Sequence, residues 1–150
     1  MRREETIDYN IKAAWHAIAR MYGQQAGRYN ITMSMGFVLL NIHAEGTPAT
    51  KIAPLMGLEA RSLTRLLKSM EEKGFIYRDS DSKDKRMVRI HLTPEGKLAR
   101  EKAREVVLKF NETLLDTIPE QDIKVFFNVL QTITQRIEKN NIYEKIKEVN

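Results

Sequence analysis

Between residues 59 and 73 the chain carries Arg61, Ser62, Thr64, Arg65 and Lys68, interleaved with Leu63, Leu66, Leu67 and Met70. A helical repeat separates these two sets onto opposite faces. The guanidinium forks of Arg61 and Arg65 match the paired acceptors of a guanine edge or a phosphate. The hydroxyls of Ser62 and Thr64 suit phosphate or sugar oxygens, and Lys68, one turn further on, suits phosphate. A second group follows at Lys83, Asp84, Lys85 and Arg86, in a polar run where an arginine is offered to the negative potential of a narrow groove. Asp84, two residues before Arg86, is expected to orient that guanidinium through a bidentate pair. The ordinary alternatives are a solvated helix face and a solubilising turn.

Charge location favours the first reading. Residues 50–93 hold ten Lys/Arg against six Asp/Glu, so four of the five net positive charges sit in that segment. Residues 94–150 balance, with ten of each. A local basic excess is what a polyanion-binding surface requires, because each neutralised phosphate releases counterions.

The elements that must position these residues read as follows. Apolar residues from Ile7 to Tyr22 recur every three to four positions, which predicts a helix from about Glu5 to Gln25, loosened by Gly23 and Gly27. Thr32 offers an N-cap oxygen to a buried helix over Met33–Ala44, ended by Gly46. Thr47-Pro48 reads as the start of a short helix stopped by Gly57, with a kink or early finish at Pro54. Glu59–Lys73 is the next helix, closed by Lys73-Gly74. Phe75–Arg78 and Met87–Leu92 then read as two antiparallel strands, the second alternating strictly, joined by the loop 79–86. Thr93-Pro94 opens a long helix to about Thr117, and Pro119 opens a last one that ends or frays at Asn140-Asn141. The fold class is therefore mainly α with a small β-hairpin wing: a winged helix-turn-helix over residues 31–93, flanked by dimerisation helices at 1–30 and 94–150, in a single domain over 1–150.

The runs Leu66–Ile76, Asp84-Lys85-Arg86 and Ile90-His91-Leu92-Thr93-Pro94-Glu95-Gly96 resemble the MarR family of bacterial and archaeal regulators. The resemblance implies a homodimer, a recognition helix carried by Glu59–Lys73, and a wing whose Asp84 and Arg86 match the family's Asp-x-Arg. It also implies a small aromatic or lipophilic effector in a cleft between the dimer helices and the winged region, for which Trp15, Tyr22, Met33, Met35 and Phe37 are the apolar candidates; plain core packing is their alternative. Two departures stand out: Met35 where members often carry glutamine, and Pro54 inside the first helix of the motif.

Dimerisation has its own support. A helix over 94–117 would be about 36 Å long, more than so small a winged region covers, so its apolar stripe needs another surface. A two-fold mate would supply one and set two recognition helices about 34 Å apart, over successive major grooves; the alternative is a monomeric bundle in which the apolar stripes satisfy one another.

The sequence contains no cysteine, which excludes disulfides, thiolate metal sites and thiol-oxidation sensing. His16, His43 and His91 are too scattered to argue a metal site, and no cofactor is expected. Phosphate-cradling glycine loops, Gly-x-Ser-x-Gly and clustered His/carboxylate ligands are missing, so the chain is read as no enzyme. No apolar stretch of about 18 residues occurs, and the N-terminus lacks the apolar core of a signal peptide; membrane partners are not expected and a cytoplasmic location is. These features point to a sequence-specific double-stranded DNA-binding transcriptional regulator, of the repressor type, on a pseudo-palindromic operator. The alternative is a winged-helix protein–protein docking module without DNA function.

Overall fold

The structure, a computed structural model, describes residues 1–80, 82–139 and 142–143. Among these residues six α-helices run Ile7–Gly27 (α1), Met33–Leu40 (α2), Ala49–Met56 (α3), Ala60–Glu72 (α4), Pro94–Thr117 (α5) and Glu120–Glu138 (α6). Three strands, Thr47–Pro48 (β1), Ile76–Ser80 (β2) and Val88–Leu92 (β3), form one antiparallel sheet in the order β1-β3-β2. A 3₁₀ turn over Arg3–Glu5 precedes α1. The chain divides into two compact units, Met1–Val107 and Leu108–Asn150. The end expected at Asn140-Asn141 lies outside the described residues.

The buried core belongs to the first unit. Met35, Val38 and Leu39 of α2 meet Ile52 of α3, Leu63, Leu67 and Met70 of α4, and Ile76, Ile90 and Leu92 of the sheet. A three-residue turn, Gly57 to Glu59, joins α3 to α4, the short connection a helix-turn-helix requires. Thr32 caps α2 as expected, accepting the Met35 N–H at 3.2 Å. The end of α4 also follows its sequence. Gly74 takes φ +77°, its N–H reaches the Glu71 carbonyl at 2.9 Å, and the Phe75 N–H reaches Met70 at 3.0 Å. That pair of bonds turns the chain directly from α4 into β2.

Several boundaries move. α1 runs through Gly23 to Gly27, and α2 ends at Leu40 rather than Ala44. α3 continues through Pro54 to Met56, so the proline, two residues from the end, brings no early finish. β2 extends to Ser80, pairing Asp79 with Arg89 and Ser80 with Val88 across the wing. Val88 is 43% exposed while Ile90 and Leu92 are buried: the alternation holds, but the outer end of the wing projects beyond the core.

The largest correction concerns Thr47-Pro48. These residues form an edge strand paired with Ile90 and Arg89, a place that tolerates proline because an edge needs no donor on its open side. The Thr47 hydroxyl caps no helix. It accepts the His43 N–H at 2.9 Å and donates to the Asn41 carbonyl at 3.4 Å, pinning the turn between α2 and β1. Thr47→Val should keep the shape of this buried site, lose both bonds and lower stability by about 1–2 kcal/mol, read as a shifted urea midpoint. An unchanged midpoint would mean that the turn holds without the hydroxyl.

Candidate nucleic-acid interface

On α4, Leu63, Leu67 and Met70 are buried and Arg61, Ser62, Thr64, Arg65 and Lys68 are all exposed. At about 100° per residue, Arg61, Thr64, Arg65 and Lys68 fall within one sector of about 100°, and Ser62 lies about 60° outside it. Leu63, Leu67 and Met70 press α4 against the rest of the core, so that sector faces solvent. Among the described residues, Arg61, Arg65 and Lys68 make no ion pair or hydrogen bond through their side chains. Thr64 differs, because its hydroxyl donates to the Ala60 carbonyl at 2.9 Å. Its proton is committed to the helix, leaving only lone pairs for a partner.

The wing is anchored to this helix at its base. Arg78 of β2 pairs with Glu71 of α4 at 3.2 Å. On the far side of the sheet, Arg89 Nη1 donates to the Gly46 carbonyl at 3.1 Å, and Tyr77 stacks on His91 at 5.1 Å between ring centres. Lys83, Lys85 and Arg86 are exposed in the connection between β2 and β3. Asp84 sits among them but does not pair with the Arg86 guanidinium. Its carboxylate accepts the Arg86 backbone N–H at 3.0 Å, and the Asp84 carbonyl accepts the Met87 N–H at 2.9 Å. An aspartate two residues ahead of an N–H in a turn is close enough to cap it, and this local bond wins over the longer side-chain reach. Asp84 therefore shapes the turn that presents Arg86.

The Leu92–Gly96 run has a structural reason of its own. The Thr93 N–H bonds to the Phe75 carbonyl at 3.0 Å and the Thr93 hydroxyl to the Gly74 carbonyl. The same hydroxyl caps α5 by accepting the Gly96 N–H at 3.0 Å. One threonine thus ties the end of α4, the root of the wing and the start of α5 together.

An apolar pocket lies between α1, α2 and α5. Tyr22 and Ala26 come from α1, Tyr29 and Ile31 from the following turn, Met33, Gly36, Phe37 and Leu40 from α2, and Ala103, Val106 and Val107 from α5. Tyr22 and Phe37 meet edge to face, 5.9 Å between centroids. Burial raises the Tyr22 phenol above its ordinary pKa, so it stays neutral. Of the five expected pocket residues, the structure brings Tyr22, Met33 and Phe37 together. Met35 is instead buried in the core, and Trp15 is 47% exposed on α1, outside the pocket. The wall from α5 was missed because it lies more than sixty residues downstream of the rest. Its only signal was the Ala103, Val106, Val107 spacing, which reads equally as core. The cavity is small, about 40 Å³, so a ring enters only if side chains such as Phe37 or Met33 move.

Comparison with known proteins agrees with this architecture. The sequence model of the MarR family matches residues 31–88, from the start of α2 to the start of β3. The organic hydroperoxide resistance transcriptional regulator of Bacillus subtilis is 27% identical over 144 residues, covering 94% of this chain and 95% of its own. Among solved structures, the Staphylococcus aureus MepR–DNA complex aligns with a TM-score of 0.79 at 22% identity, over 87% of this chain and 97% of that one. CouR from Rhodococcus jostii RHA1 bound to p-coumaroyl-CoA aligns equally well, 0.79 at 22%, over 89% and 94%. The helix-turn-helix with its wing, the MarR family match across it and the full-length relative agree on one likeness: the chain is similar to MarR-family transcriptional regulators.

Proposed function

We propose that this regulator acts as a homodimeric, sequence-specific repressor on a pseudo-palindromic operator in the cytoplasm, with residues 31–93 as its DNA-binding region. Arg61 and Arg65 read base edges in the major groove. Ser62 and Lys68 meet sugar and phosphate, and Thr64 turns its lone pairs to the same duplex. Lys83, Lys85 and Arg86 reach the backbone or the minor groove, on a turn set by Asp84. The observation that carries this reading is the solvent-facing sector of α4, where three cations have no side-chain partner among the described residues. Such charges gain most from an external polyanion.

The mate is a second copy. In the first unit α1 exposes Ile7, Ile11 and Trp15, and in the second unit Leu115, Phe126, Phe127 and Ile137 are all more than half exposed. Apolar faces of that size mark association surfaces. The apolar pocket is the effector site, and an occupant that parts α2 from α5 strains the core on which α4 rests. A MepR–DNA complex and a ligand-bound CouR share this fold, which supports both halves of the reading.

Selection of bound duplexes from a random pool, followed by fluorescence anisotropy and sedimentation, tests it. The expected result is a palindrome with half-sites about one helical turn apart, bound by a dimer, with affinity falling by orders of magnitude as salt rises. Absence of binding to any duplex at low salt would leave the protein-docking alternative.

A further inference from the structure

The solvent-facing sector of α4 is uneven in its hydrogen-bonding chemistry. Arg61, Arg65 and Lys68 carry donors alone, so they are matched by acceptors: a guanine edge or a phosphate oxygen. Of the four side chains in the sector, Thr64 alone holds an acceptor. It is exposed, and its Oγ1 proton already goes to the Ala60 carbonyl at 2.9 Å. We propose that Thr64 reads sequence: its oxygen accepts a hydrogen bond from an exocyclic base amino group, adenine N6 or cytosine N4, in the major groove. The inference rests on the reading of α4 as the helix that enters that groove.

Donor counting supports it. Phosphate and deoxyribose oxygens within a strand have no proton to give, so a hydroxyl meets them only by donating. To donate to them, Thr64 must first break its bond to Ala60. Accepting from an amino group breaks nothing. The existing bond also helps, because an O–H that donates polarises its oxygen into a better acceptor. In the major groove the donors that base pairs present are adenine N6 and cytosine N4. Position agrees. Thr64 follows Arg61 by three residues and precedes Lys68 by four, so it stands one helical turn from each, with about 5–6 Å between Cβ atoms. That distance spans no more than about two base-pair steps of about 3.4 Å, which places the amino group within two steps of the base that Arg61 reads. Ser62 is the contrast. Its exposed hydroxyl makes no hydrogen bond among the described residues, so its proton is open to a phosphate.

The test begins with duplexes selected from a random pool by the unmodified full chain, by Thr64→Val and by Ser62→Ala. The unmodified chain is expected to favour adenine or cytosine over guanine or thymine on one strand, at one position of each half-site. Thr64→Val keeps the side-chain shape and removes the acceptor, so it should lose that preference and keep the others. Ser62→Ala should keep all of them. Fluorescence anisotropy then compares the selected duplex with one whose base at that position lacks the major-groove amino group: 2-aminopurine for adenine, or 2-pyrimidinone for cytosine. The exchange should weaken the unmodified chain about fivefold, the worth of one net hydrogen bond, and leave Thr64→Val unchanged. Thr64→Ser, which restores the hydroxyl, should restore the difference. A Thr64→Val pool identical to that of the unmodified chain would overturn the proposal while leaving the roles of Arg61 and Arg65 intact. So would equal binding of the two duplexes by the unmodified chain, or an even weakening of Thr64→Val on every sequence, which marks a phosphate contact. If the unmodified chain binds no duplex, the reading of α4 fails and this proposal fails with it.

Discussion

Replacing Arg61 and Arg65 together by alanine should weaken operator binding by about 100-fold or more, since each bidentate base contact is worth about 1–3 kcal/mol. The fold should not notice. Both side chains are exposed and unpaired within the described residues, and their removal touches neither Leu63 nor Leu67 beneath them. Thermal stability should therefore stay within about 0.5 kcal/mol of the parent. Specificity should relax along with affinity, because base-reading groups are lost while phosphate contacts remain. Lys68→Ala makes the contrast: it should weaken binding evenly across sequences and lower the salt slope by about one. Anisotropy on the selected operator and on a scrambled duplex separates the two cases. Operator affinity that survives the double substitution would move the reading face away from α4.

Gly96→Ala should produce the largest loss of stability from a single methyl group. A Cβ at Gly96 would stand 1.9 Å from the Phe75 carbonyl oxygen and 2.9 Å from its carbon. The obstacle is backbone, and that backbone is already fixed by the Thr93 N–H, so it has little room to yield. Overpacking of this kind costs about 1–3 kcal/mol or more, and in a chain of this size each kcal/mol lowers Tm by about 2–4 °C. The strain falls where α5 meets the root of the wing, so DNA affinity should drop as well, even at temperatures where the chain remains folded. A Gly96→Ala protein with unchanged Tm and unchanged operator affinity would show that α5 can shift away from Phe75 without consequence. The glycine of the Leu-Thr-x-x-Gly run is thus explained by close approach of two backbones, not by a turn.

Local patterns were legible in the sequence wherever one element's own residues decide its fate. The α4 face is an example, since a 3.6-residue period leaves Leu63, Leu67 and Met70 no alternative to the inner side once they are helical. The same holds for Thr32 as a cap and for Lys73-Gly74 as a stop, where the relevant bonds lie within five residues. Thr47-Pro48 shows where this reasoning fails. Threonine followed by proline is a sound helix start, but the partner that wins is Ile90, more than forty residues away, and no local signal announces a strand of two residues. Asp84 failed for the opposite reason: a nearer N–H outcompeted the guanidinium that its spacing seemed to select.

The basic sector of α4 and the basic run of the wing, the features from which the DNA-binding reading began, were fixed by residue type and period alone. A helix face needs no distant partner to be defined. Which apolar side chains make a pocket was decided by tertiary structure: Met35 and Phe37 sit two residues apart on α2, yet one is core and the other pocket wall. The difference arises because α5 arrives from far along the chain and covers only one side of that helix. Sequence order gives no hint of which side, because a pocket exists only where packing brings separate segments together.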